Sequence, residues 1–148
     1  MKAPRLANKF DLPILVEMMR GYAQQSLIAA LADEKMHDER HVENLLLSLI
    51  LGRGFVLIDE GGRGMLAAMV TPNFWCPEVM ELKEIAWWVK PEFRKGSVGG
   101  RLFLEFDKIA KAYLAQNRVQ VVCLSLLSSS EINSLPGYRQ IESTFVRN

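Results

Sequence analysis

The stretch WWVKPEFRKGSVGGRLFLEF, Trp87 to Phe106, changes character in its middle. It opens with bulky residues suited to a strand and closes with apolar residues at helical spacing. Between them lie Arg94, Lys95, Gly96, Ser97, Gly99 and Gly100. The first N–H groups of a helix lack internal partners and carry the positive end of its dipole. Small residues let an anion approach those amides, and Arg94 and Lys95 add charge beside them. Spacing alone leaves two readings open: a compact diphosphate cradle, or an ordinary strand–helix turn whose glycines let helix and sheet pack closely. The segment is neither of two familiar phosphate motifs. Arg101 follows Gly100 where a P-loop needs Lys, and Gly96, Gly99 and Gly100 do not satisfy G-x-G-x-x-G.

Leu102, Phe103, Phe106, Ile109, Ala110, Tyr113 and Leu114 form an apolar stripe that predicts a helix over about 99–116. Upstream, a strand is predicted over about 81–89. Leu82, Glu84, Ala86 and Trp88 take one face, and Lys83, Ile85, Trp87 and Val89 the other. GFVLIDE and RGMLAAMV flank Gly-Gly, a hairpin signal, which gives strands at about 54–59 and 64–70. Nearer the N-terminus, Asp11 can cap a helix over about 11–24 with Pro13 in its first turn. Val42, Leu45, Leu46, Leu49 and Ile50 mark another over about 38–51, ended by Gly52. Residues 25–37 form a short helix or an ordered loop. Downstream, VQVVCLSLL (119–127) reads as a buried strand, parallel to its neighbour because a long crossover joins them. SSSEINSLP makes a short turn of helix, and YRQIESTFVRN closes as a final strand. The order β-α-α-β-β-β-α-β-(α)-β describes one domain over 1–148, a mixed α/β (α+β) fold with helices on both faces of the sheet.

Composition narrows the function classes. Hydrophobic residues make up 49% of the 148 and charged residues 24%, with a formal net charge of +1. That balance is globular, and nothing global points to nucleic acid or to an anionic membrane. A single anion pocket hardly moves such a total. There is no signal-peptide core and no apolar run near the ~18 residues of a spanning helix. Cys76 and Cys123 show no metal spacing, and so low a cysteine count suits a reducing compartment. Cys123, inside an apolar run, is expected to be buried. The expectation is a soluble cytoplasmic protein. His37 and His41 invite a metal reading, but the H-E-x-x-H glutamate and a third ligand are missing, so no metal is expected.

The segment VKPEFRKGSVGGRLFLEF, Val89 to Phe106, resembles the acyl-CoA-binding motif of the GNAT family of N-acetyltransferases. In that family [RQ]-x-x-G-x-[GA] opens the central helix after the fourth strand. Arg94 takes the first position, Val98 the aliphatic one and Gly99 the last, while Ser97 replaces the motif's first glycine. Pro91, Glu92 and Phe93 resemble the family's lead-in. LANKFDLPILVEMM (6–19), MLAAMV (65–70) and LPGYRQIESTFVR (135–147) resemble its first strand and helix, third strand and closing strand, so the likeness runs in order along nearly the whole chain. The resemblance implies a GNAT-like, mostly antiparallel central sheet and acetyl-CoA as cosubstrate. It implies a diphosphate cradle of Arg94, Lys95, Gly96, Ser97, Val98, Gly99 and Gly100. It also implies that Trp88 and Val89 pair their backbone with the pantetheine arm where the fourth and fifth strands splay. Asn133 resembles an asparagine that the family places near that arm.

Acetyl transfer to an amine needs a neutral nucleophile, and an alkylammonium has a pKa of roughly 10, so a base is required. Glu84 is the candidate. It lies on the strand beside the expected thioester, where partial burial near Trp88 would raise its pKa; several family members resemble this chain in placing a glutamate there. The alternative is a solvated strand carboxylate paired with Lys83 or Arg63. The backbone N–H near Val89 is the natural donor to a developing oxyanion. Many family members use a tyrosine after the fifth strand as general acid, and Tyr138 is what this chain offers in that region. Phe74 and Trp75, in a proline-bounded loop, could line an acceptor pocket, whereas Trp87 suits packing. The expected activity is direct transfer of an acetyl group to a small-molecule or peptide amine. The acceptor would enter between residues 23–40 and the final strand. The alternative is a catalytically inactive binding module of the same fold, which Ser97 and the missing tyrosine on the helix after the fifth strand favour. Exposed edge strands make a homodimer plausible.

Overall fold

The computed structural model describes residues 2–127 and 130–147. A five-stranded sheet is built from β1 (Arg5–Leu6), β2 (Gly54–Ile58), β3 (Gly64–Pro72), β4 (Met80–Val89) and β5 (Val121–Cys123), side by side in chain order. Neighbours from β1 to β4 are antiparallel, and β4 with β5 is parallel. Helices α1 (Leu12–Gln24) and α3 (Glu39–Ser48) cover one face, joined through the short α2 (Ala29–Ala32), while α4 (Val98–Ala115) covers the other. The mixed, mostly antiparallel sheet with helices on both faces is therefore the architecture expected from the sequence.

Two apolar layers hold it together. Leu15, Met18, Leu46 and Leu49 pack on Val56, Ile58, Met65, Ala67 and Ala86. Leu102, Phe106 and Ala110 pack on Phe55, Leu57, Leu66, Ala68 and Leu82. Each large side chain fully buried in this way contributes about 1.5–3 kcal/mol, which explains why helical periodicity alone located α1, α3 and α4. Helix α1 crosses β4 very closely: a Cβ on Gly21 would lie 2.6 Å from the Trp88 ring. Among the described residues no helix is long and apolar enough to cross a membrane.

Several expectations fail. The fifth strand is confined to Val121–Cys123 rather than 119–127, and residues 139–147 form no strand at all. The helical turn expected in SSSEINSLP is absent from its described residues; Ser128 and Ser129 lie outside them. Alternation does not make a strand without a ladder partner, and β5 pairs with β4 alone and only briefly. Thus Ile141, Phe145 and Val146 remain exposed. Strand β4 also carries a bulge. Ala67 faces Ala86 and Ala68 faces Glu84, so Ile85 is an extra residue. The bulge inverts the alternation: Leu82, Trp87 and Val89 pack toward α4, and Ala86 and Trp88 toward α1 and α3. Leu82 and Ala86, expected on one face, lie on opposite faces. Cys76 is exposed, Cys123 is half-buried rather than fully buried, and both are free thiols.

Candidate active site

Strand β4 pairs with β5 only over Glu81 to Lys83, against Val121 to Cys123. It then continues to Val89 with β3 on its other side. From Glu84 onward its second edge therefore faces an open wedge. Alternation of backbone groups decides what that edge presents. The Lys90 N–H donates to the Arg63 carbonyl at 2.8 Å. The Trp88 carbonyl also points to the β3 side, 3.0 Å from where a Cβ on Gly64 would sit. Trp87 and Val89 must then turn their N–H and C=O groups to the wedge. Arg94 Nε–H, donating to the Val89 carbonyl at 2.8 Å, marks that orientation. Of the expected pair, Val89 has its main chain at the opening and Trp88 does not. Trp88 instead directs its indole toward α1, where Nε1 donates to Gln25 Oε1 at 3.4 Å. Trp87, expected only to pack, does stack on Phe103 at 6.0 Å, but its main chain joins Val89 at the edge.

Glu84 stands where the strands part. Its Oε2 accepts from the Ser125 N–H at 3.1 Å, taking the place of the ladder partner that β5 no longer supplies. Neither alternative partner reaches it. Lys83 pairs with Glu81 at 3.1 Å, and Arg63 with Asp59 at 2.6 Å. Burial pushes the Glu84 carboxyl up to about 7, against the opposing pull of the Ser125 amide. The Tyr22 phenol is also pushed up, mainly by burial and secondarily by the Glu84 charge, so α1 brings Tyr22 to the same neighbourhood.

The turn from β4 to α4 is wound tightly. The N–H groups of Phe93, Arg94 and Gly96 donate to the carbonyls of Lys90, Pro91 and Phe93. Two amides of the expected cradle, those of Arg94 and Gly96, are thus occupied within the turn. Arg101 is the first α4 residue whose N–H returns a bond, to the Ser97 carbonyl at 3.0 Å. Val98, Gly99 and Gly100 make up the first turn, whose amides have no carbonyl partner inside the helix. Ser97 is exposed at the N-cap, and its hydroxyl makes no capping bond. A Cβ on Gly100 would meet nothing within 4 Å, and one on Gly99 would make ordinary contacts of 3.6 Å with Val89 Cγ2 and 3.9 Å with Trp87 Nε1. Close helix–sheet packing therefore does not explain either glycine. Each costs about 0.5–1 kcal/mol against alanine in a helix, and what their missing side chains leave is open space at the helix mouth. Lys95 is exposed beside it.

The remaining candidates lie apart from these. Tyr138 O–H donates to Asp107 Oδ1 at 3.0 Å, and its ring meets Phe103 edge-on at 5.9 Å. Burial and then the Asp107 carboxylate drive its pKa far upward. Asn133 is exposed in the irregular segment after β5. Phe74 and Trp75, each 86% exposed, pack on each other and enclose nothing. His37 Nε2 lies 3.0 Å from the Leu31 carbonyl, and among the described residues no group of three potential metal ligands is found. Trp87, Ser125, Tyr22 and Gln25 are the neighbours that sequence reasoning missed. The bulge and the strand splay bring in Trp87 and Ser125, and the close crossing of α1 over β4 brings in Tyr22 and Gln25. None of these leaves a mark in residue spacing.

Solved structures share this architecture. A GNAT family acetyltransferase from Staphylococcus aureus subsp. aureus USA300_TCH1516 matches with a TM-score of 0.63 and 17% identity, over 98% of this chain and 96% of that one. An aminoglycoside acetyltransferase from an uncultured soil metagenomic sample matches with a TM-score of 0.62 and 14% identity, over 99% of each chain. A ribosomal-protein-alanine N-acetyltransferase from Brucella melitensis biovar Abortus matches with a TM-score of 0.58 and 12% identity, over 97% of this chain and 100% of that one. No protein-family model and no curated protein matches the sequence. The chain has the GNAT acetyltransferase fold.

Proposed function

We propose that the chain is an N-acetyltransferase that binds acetyl-CoA along the wedge and at the mouth of α4, and passes the acetyl group directly to an amine beside Glu84. One observation carries this reading: the unpaired edge of β4 is continuous from the raised-pKa carboxylate of Glu84, past Trp87 and Val89, to the glycine turn. A ligand with amides along its length and a diphosphate at one end suits that path. The Trp87 carbonyl and the Val89 N–H offer an acceptor and a donor to the amides, while the Val89 carbonyl is held by Arg94. The amides of Val98, Gly99 and Gly100, with Lys95 beside them, offer an electropositive mouth to the diphosphate. The open space at Gly99 and Gly100 fits such a group.

Acetyl-CoA would supply an acyl group activated as a thioester. Glu84 takes the proton of the incoming alkylammonium, directly or through a water, so that the neutral amine attacks. The N–H of Trp87 faces the opening nearer Glu84 than that of Val89 does and serves the developing oxyanion. A thiol pKa of about 8.5 makes the leaving group a fair one without a dedicated acid. Tyr138 is not needed for that role, and its hydrogen is already given to Asp107. We assign the acceptor to small-molecule or peptide amines; the aminoglycoside and ribosomal-protein-alanine acetyltransferases of like fold are named for one of each. A cytoplasmic site of action suits this cosubstrate and two free thiols.

A second reading, an inactive binding module, draws on Arg94. Its Nε–H holds the Val89 carbonyl while its Nη2 bonds Gln25, so the guanidinium straps the exit of the wedge. Titration calorimetry with coenzyme A and thiol release from acetyl-CoA across an amine panel separate the two. Saturable binding with amine-dependent release is expected. Binding without release selects the module, and no heat at millimolar coenzyme A overturns both.

A further inference from the structure

Asp59, at the end of β2, is 1% exposed. Its Oδ2 accepts from Arg63 Nε at 2.6 Å and from the Gly61 N–H at 3.2 Å. Its Oδ1 accepts from Arg63 Nη2 at 3.2 Å and from Arg101 Nη2 at 3.3 Å. Arg101 follows Gly100 in α4; its Nη1 donates to the Lys2 carbonyl at 3.1 Å, and its Nε is buried without a partner. Stability is not the whole explanation for this cluster, although the burial that would raise the Asp59 pKa is outweighed by Arg63 and Arg101, which hold the carboxyl below its ordinary range. Desolvation cancels much of the attraction in a buried ion pair, and a cation near a helix N-terminus opposes the dipole.

What the cluster does is geometric. The Arg63 carbonyl accepts from the Lys90 N–H at 2.8 Å, and its guanidinium lies over the Phe93 ring at 5.7 Å. The β2–β3 turn thus grips the segment from Lys90 to Arg101 at its entry and, through Asp59, at its exit. The glycine turn lies between the two grips. We propose that Asp59 is a positioning residue for the anion cradle, acting through Arg63 and Arg101 to keep the Val98, Gly99 and Gly100 amides converged on one point. This rests on the acyl-CoA reading above.

Asp59→Asn distinguishes positioning from charge by sign. Removing a negative charge near an anion site should by itself tighten anion binding, whereas releasing the grip should weaken it. The expected result is a rise of about tenfold in the calorimetric Kd for coenzyme A, with binding of pantetheine, which lacks the diphosphate, unchanged. If that variant does not fold, Arg101→Met serves, because Asp59 keeps its 2.6 Å bond to Arg63. Its Kd for coenzyme A should rise similarly, and Arg101→Lys, which keeps the charge but cannot span both Asp59 and the Lys2 carbonyl, should raise it as well. A folded variant, by circular dichroism, that binds coenzyme A as tightly as the parent or more tightly overturns the assignment. A parent protein that gives no heat with coenzyme A would instead remove the acyl-CoA reading on which it stands.

Discussion

The Ser125 N–H donates to the Glu84 carboxylate at 3.1 Å across the gap where β4 and β5 separate. The bond explains how a carboxylate with a pKa raised to about 7 keeps a fixed orientation: burial favours the neutral form, while one main-chain donor still supports the charged one. Such a group can gain and lose a proton near neutrality.

Only ionised Glu84 can accept a proton from the acceptor amine. With its pKa at about 7, kcat/KM for acetyl transfer should climb through neutral pH, where most carboxylates would already be fully ionised. Glu84→Gln should cut turnover by about 10²-fold or more while leaving the affinity for coenzyme A alone. A rate that is level between roughly pH 6 and pH 8, or unaffected by the substitution, would exclude Glu84 as the base.

The same shift bears on stability. Folding raises Glu84 from its ordinary 4.5 to about 7, so the native state holds the proton more tightly than the unfolded chain. Below the unfolded value both states are protonated and nothing is lost. As pH rises from there through about 7, the buried charge destabilises the fold, up to ~3 kcal/mol. Urea midpoints should show Glu84→Gln gaining on the parent protein as pH rises to 8 and matching it at pH 4; equal midpoints at both would contradict the burial argument.

Gly100 tests the cradle through opposite signs. Its added Cβ would meet nothing within 4 Å, so Gly100→Ala should stabilise the helix by a few tenths to ~1 kcal/mol and raise Tm slightly. The same methyl crowds an approaching phosphate, so the Kd for coenzyme A should rise. A higher Tm with unaltered affinity would show that the diphosphate does not visit this turn.

Tyr138→Phe removes the O–H that Asp107 accepts while keeping the ring against Phe103. Stability should fall by about 1 kcal/mol in chemical denaturation. Turnover should stay the same, because no acid is required of this phenol. A fall in kcat beyond tenfold, with KM unchanged, would restore Tyr138 to the chemistry.

Much of the scaffold is legible in residue order because its causes are local. A 3.6-residue apolar period places α1, α3 and α4 wherever the chain folds. Gly61 and Gly62 announce the β2–β3 hairpin. The abrupt passage from Trp87 and Trp88 to the glycines and then to Leu102, Phe103 and Phe106 marks the strand–helix handover that sets the fold class. Glu84 could be named as a candidate base from its strand and its aromatic neighbours, and burial does raise its pKa.

Everything that depends on distant partners had to await the assembled chain. The bulge at Ile85 is a mismatch between two strands, so the one strand's pattern cannot reveal it, and it decided that Trp87 and Val89, rather than Trp88, expose their main chains. By sequence the last nine described residues should close the sheet as a strand, yet without a neighbouring edge to bond they form none. Asp59 reads as a hairpin aspartate until Arg101 arrives from α4 to make it a buried anchor. Periodicity is a property of consecutive residues, whereas register, splay and burial belong to pairs that only folding brings together.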